Sequence, residues 1–135
     1  MKSLKETYGM SYDSSGFNSG LINWYNNLID KTYEHLTVAD VSRMIRQDIL
    51  KEVAVKRAIE LFLCDPYDGE YSDGELLEIL ASLDINALRS LCVEELKTAL
   101  DGTSQDYVNF EWLDEEAKTK YEKNIDILAK KLKFM

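Results

Sequence analysis

Six carboxylates fall within sixteen residues of this chain, in the stretch DPYDGEYSDGELLEIL at 65–80, and no lysine or arginine interrupts them. Carboxylates at that density could serve as a general acid and base or hold a hard cation. The spacing supports neither. Counted as an EF-hand loop from Asp65, the stretch puts Tyr67 and Gly69 where side-chain oxygens belong, Glu70 in place of the turn glycine and Leu76 where the bidentate glutamate should be. His35 is the only histidine; it stands beside Glu34 just before a helix cap, and reads as a surface or capping residue. Cys64 and Cys92 follow no metal or redox spacing, and one histidine with two scattered cysteines does not assemble a zinc site. A phosphate-cradling glycine loop, a dinucleotide fingerprint and a nucleophile elbow are all missing from the sequence. No cofactor and no metal is expected, and no residue pattern argues for an enzyme.

The charge pattern points to recognition instead. Residues 1–64 hold eight basic and eight acidic side chains, whereas 65–135 hold eight basic and seventeen acidic, which accounts for the net charge of −9. The last stretch, 117–135, is basic, so 65–116 carries fifteen acids against Arg89 and Lys97. A field of that sign repels phosphate backbones and steers basic partners inward. Direct nucleic-acid binding is not expected. Threaded between the acids, Tyr67 and Tyr71 offer contact area at small entropic loss, although covering the core is the plainer use for them. The expected partner-binding set is Asp65, Tyr67, Asp68, Glu70, Tyr71 and Asp73, with Glu94, Glu95 and Asp106 on its rim. Arg43 and Arg46 are expected to anchor the loop from behind, since planar guanidinium forks suit carboxylates; an anion site is the alternative.

The elements that must position this loop can be read from period and caps. At 135 residues the chain fits one domain, with no apolar run approaching the ~20 residues that span a bilayer. The opening MKSLKETYGMSYDSSG has no secretory core, so a cytoplasmic protein with reduced, buried thiols is expected. Residues 1–19 read as a flexible or irregular arm ahead of a single helical domain at 20–135. Leu21, Trp24, Tyr25, Leu28, Ile29 and Tyr33 mark one helical face. Thr37 and Asp40 form a capping box, with Leu36 and Val41 at staple positions, ahead of a second helix whose inner face is Val38, Val41, Ile45 and Ile49. A third spans 51–64 and must stop at Asp65-Pro66. Ser72 and Glu75 have capping-box spacing and predict a helix starting at Ser72. Asp84 caps the next, which Asp101-Gly102 should close. The segment 103–113 alternates Val108, Phe110 and Trp112 and is expected to press its aromatics onto the bundle as an extended loop. A final helix at 115–133 runs from acidic to basic, matching its dipole. The prediction is all-α: a single-domain bundle of about five to six helices with an acidic loop at 65–72.

Two passages carry a family resemblance: LTVADVSRMIRQDIL at 36–50, with R-x-x-R-Q at Arg43, Arg46 and Gln47, and DPYDGEYSDGELLEIL at 65–80. Over roughly residues 21–100 the chain resembles a small all-helical group of immunity proteins from contact-dependent growth inhibition (CDI) systems. The resemblance implies a cytosolic protein that binds and neutralises the C-terminal toxin domain of a CDI effector. Such toxins are often nucleases, whose basic grooves an acidic helical protein could plug or flank. No binding residue is carried over from the family. The alternatives are an acidic adaptor for another basic protein and, from a different class, a small metal-dependent hydrolase using the loop carboxylates.

Overall fold

In the computed structural model, residues 2–14, 19–70, 72–84, 86, 88 and 93–133 are described. Among them the chain forms seven α-helices: α1 (Leu4–Tyr8), α2 (Gly20–Leu28), α3 (Val38–Arg46), α4 (Lys51–Cys64), α5 (Glu75–Ser82), α6 (Val93–Asp106) and α7 (Glu115–Lys133). Short 3-10 turns occupy Tyr33–His35 and Tyr107–Asn109, and the only β-type pairing among the described residues is an isolated bridge between Ser3 and Thr32. The fold is all-α, as the sequence predicts. No described helix is long and apolar enough to cross a membrane.

The arm is more ordered than its composition suggests. Ser3 and Glu6 form a capping box on α1, and Leu4 is buried. The first amides of α1, which no helix can satisfy from within, donate outward: Leu4 N–H to the Lys31 carbonyl at 2.9 Å and Lys5 N–H to Ile29 at 2.8 Å. That use of the carbonyls after α2 explains why α2 stops at Leu28 and does not continue to Tyr33.

The Thr37–Asp40 capping box forms as read, with Asp40 N–H 3.2 Å from Thr37 Oγ1 and Thr37 N–H 3.0 Å from Asp40 Oδ2. Val38, Val41 and Met44 are buried behind it. The link to α4, which the sequence leaves open, is a sharp break: Asp48 and Leu50 both take left-handed backbone angles (φ 54° and 47°). Such angles cost a non-glycine residue about 1 kcal/mol each, so packing on both sides of the turn must hold them. α4 buries Ala54, Val55, Ala58, Ile59 and Phe62 and ends at Cys64, where Asp65 is extended ahead of Pro66.

Two helix ends differ from expectation. α5 begins at Glu75, three residues after Ser72, because Gly74 sits at φ 85° and no right-handed helix passes through that angle. α6 runs through Asp101-Gly102 to Asp106. Gly102 is held inside it by buried Leu100 and Thr103, whose hydroxyl donates to the Ala99 carbonyl at 2.8 Å. Burial of the residues on either side of the glycine outweighs the local glycine signal. Ile85, Leu91 and Cys92 of the expected 84–101 helix lie outside the described residues, whereas Leu83 and Leu88 are buried. α7 forms over the predicted span and buries Tyr121, Ile125, Leu128 and Leu132. It packs on α5 and α6, while α4 packs on α3, α5 and α6. Lys131 on α7 donates to the carbonyls of Ala81 and Leu83, the latter at 2.7 Å, closing the C-terminal end of α5.

Candidate functional site

The loop between α4 and α5 is tied by its own hydrogen bonds. Asp65 Oδ1 accepts from Tyr67 N–H at 3.1 Å, and Asp68 Oδ1 accepts from Gly69 N–H at 2.8 Å. Gly74 N–H donates to Tyr67 O at 2.7 Å, and Leu76 N–H to Asp68 O at 3.0 Å. Glu75, at the head of α5, turns back on the loop, taking Glu70 N–H at 3.2 Å on one oxygen and the Ser72 hydroxyl at 3.1 Å on the other. The S-x-x-E pair therefore does meet, but it braces the loop and leaves the helix start to Gly74. From behind, Tyr121 donates its hydroxyl to the Pro66 carbonyl at 2.8 Å.

These bonds divide the expected binding residues. Asp65 and Asp68 are occupied within the loop. The Glu70 and Asp73 carboxylates accept no hydrogen bond and form no ion pair among the described residues, although the Glu70 backbone N–H is held by Glu75, and Asp73 is exposed. Tyr67 faces inward: its ring stacks on Phe110 (centroids 4.3 Å apart), and its hydroxyl donates to Asp106 Oδ2 at 2.9 Å. Burial, reinforced by that carboxylate, pushes the Tyr67 phenol up to about 12. Asp106 thus joins the loop as Tyr67's acceptor. Glu94 and Glu95 are exposed at the other end of α6, eleven or more residues away from Asp106, which at ~1.5 Å per helical residue is roughly 17 Å. They are not part of the loop's immediate surface. Tyr71 lies outside the described residues.

The anchors differ from expectation. Arg43 lies 5.9 Å over the Trp24 ring, Arg46 is exposed, and neither forms an ion pair with a described carboxylate of the loop. Trp24 takes the first guanidinium, and the second stays in solvent beside a shallow depression shared with Glu70 and Glu75. The bracing role falls to Glu75, which the sequence read as a helix cap, and to Tyr121 of α7. Cys64, expected to be buried, is exposed at the end of α4.

The second wall of the site comes from the 103–113 segment, which is helical through Asn109 where an extended loop was expected and leaves Val108 exposed, but does press Trp112 onto the bundle. Phe110, Trp112 and Tyr121 pack behind the loop, Phe110 edge-on to Trp112 at 4.6 Å and Trp112 tilted against Tyr121 at 4.7 Å, with Trp112 Nε1 donating to Tyr107 O at 2.8 Å. The alternation of Val108, Phe110 and Trp112 was the available signal that this segment presses on something; what it presses on is a tertiary fact. Between Trp112, Leu113 and α7 on one side and Glu70, Asp73 and Glu78 on the other opens a cavity of about 420 Å³. Glu78 is balanced by Lys120 at 3.2 Å. No group of three or more described His, Cys, Asp or Glu residues could hold a metal ion.

Fold and site together describe a small all-helical protein with a braced, acidic, aromatic-backed loop on its surface. A family model for CDI immunity proteins matches residues 6–97, and the chain belongs to that family. It is therefore an immunity protein that binds and neutralises a cognate toxin domain of a CDI effector, in a family that is generally non-catalytic. None of the curated proteins matches this chain.

Proposed function

We propose that this immunity protein acts in the cytoplasm by capturing a basic toxin domain of the nuclease type, located at the C-terminus of its effector. Capture uses the acidic face of the 65–74 loop, with no catalysis by the chain itself. Glu70 and Asp73 lie at the centre of the contact. Asp65, Tyr67, Asp68, Tyr71 and Asp106 support it, while Glu94 and Glu95 add to the attracting field from a distance. The observation that carries this reading is the division of the loop: its shape is held by one set of groups, and the Glu70 and Asp73 carboxylates are left without partners among the described residues. A carboxylate held in place with no internal partner is preorganised for a cation from outside, so little ordering entropy opposes the contact. The net negative charge of 65–116 speeds encounter with a basic groove, and occupancy of that groove excludes nucleic acid by charge and by volume.

The test is kinetic. The tagged chain, mixed with the polypeptide encoded immediately upstream of its gene, is expected to give a one-to-one complex that abolishes toxicity and weakens as salt rises. The double variant Glu70→Lys/Asp73→Lys should associate at least ~10-fold more slowly at low salt with an unchanged melting temperature. Association at the native rate would remove the acidic loop from the interface.

A further inference from the structure

The cavity beside the loop has an acidic wall of Glu70, Asp73 and Glu78 facing an α7 side with Trp112, Leu113 and Ala117; Lys120, which also lines it, pairs with Glu78, so among the described residues Glu70 and Asp73 are the lining carboxylates without a cation. Leu113 is 90% exposed, the most open of the large apolar side chains among the described residues. Folding gains almost nothing from a leucine placed there. The acidic wall lies inside the residues matched by the family model and the facing side beyond them. Building on the toxin-binding reading above, we infer that this cavity seats one basic side chain of the toxin, a lysine or arginine. Its charged head meets Glu70 and Asp73, and its aliphatic stem lies on Trp112 and Leu113. Charge complementarity selects this occupant. An acidic side chain would be repelled from the two free carboxylates, and a purely apolar one would strip water from them without offering a donor. Long basic side chains satisfy both walls at once, because their methylenes cover apolar surface while the head stays with its counter-ion, and a guanidinium also stacks on an indole face. Leu113 then closes over the stem and shields the ion pair from water, as the ring of apolar contacts does around an interface anchor.

Two walls give two separable kinetic effects. Charge at Glu70 and Asp73 governs encounter, whereas Leu113 and the open volume over Ala117 govern residence. The experiment measures association and dissociation rates with the upstream-encoded toxin domain for Leu113→Ser, which removes the cover, and Ala117→Trp, which fills the cavity. Each is expected to dissociate about tenfold faster, with association little changed. Leu113→Ser should keep the native melting temperature, and it decides the matter alone if Ala117→Trp does not fold. If both variants dissociate at the native rate while Glu70→Lys/Asp73→Lys still slows association, the cavity is not a seat; the acidic-loop reading survives and this inference falls. If Leu113→Ser acts but the charge reversal does not, the occupant is apolar and the inference is overturned. A native dimer that Leu113→Ser dissociates, with toxin binding unchanged, would assign Leu113 to self-association and overturn it as well.

Discussion

At the scale of the residue, Asp40 does the most with one side chain. It is 4% exposed, and its two oxygens take Lys31 Nζ at 2.7 Å, Thr37 N–H at 3.0 Å and Trp24 Nε1 at 3.2 Å. Burial acts to raise its pKa, but the three donors outweigh burial and hold it below the ordinary 3.8. Because the folded value lies below the unfolded one, the folded state releases this proton more readily. The stabilisation is complete above about pH 4 and drains away as pH falls through the depressed value. Asp40→Ala removes a cap and leaves the indole N–H without an acceptor, while Lys31, one-third exposed, can still reach water. The expected loss is about 2 kcal/mol at neutral pH, read from denaturant melts. The difference between native and variant should shrink as the melts are repeated at pH 3 and below.

At the scale of the element, the turn into α5 depends on Gly74. Its φ of 85° is strained for any L-residue, and an added Cβ would lie 2.6 Å from Tyr121 Cδ2. Gly74→Ala should therefore lower stability by about 2–3 kcal/mol and loosen the Tyr121–Pro66 bond, measurable as a lower melting temperature and faster amide exchange across 65–76. This turn also shows where sequence reading stops. The Thr37–Asp40 box, the stop at Pro66 and the 115–133 helix were legible because each rests on residues within a turn of one another. The α5 start and the passage of α6 through Gly102 were not, because they depend on Tyr121 packed against Gly74 and on the burial of Leu100 and Thr103. The helix in the arm did carry a local signal, the Ser3–Glu6 capping box, but its docking rests on the distant carbonyls of Ile29 and Lys31. The site follows the same division. Its acidic half was read as a contiguous run, whereas its aromatic half comes from residues forty or more positions away.

At the scale of the whole molecule, the tyrosines report on the bundle's integrity. Of the eight, Tyr33, Tyr67, Tyr107 and Tyr121 are held above the ordinary value of 10, in each case first by burial. Carboxylates add to the effect: Glu60 for Tyr33, Asp106 for Tyr67, Glu122 for Tyr107 and Asp65 for Tyr121. A raised folded value means stability that is intact below about pH 10 and lost as pH climbs through the folded value. Ultraviolet titration should show Tyr33, Tyr67, Tyr107 and Tyr121 ionising above pH 10 or with alkaline unfolding, Tyr67 at about pH 12, and Tyr67→Phe should remove one of these late steps. The loop takes its shape from Asp65, Asp68, Glu75, two glycines and Tyr121, none of which needs the Glu70, Asp73 or Leu113 side chains. Those three positions can therefore change while the scaffold stays folded, so the surface proposed for toxin capture can be altered without rebuilding the loop beneath it.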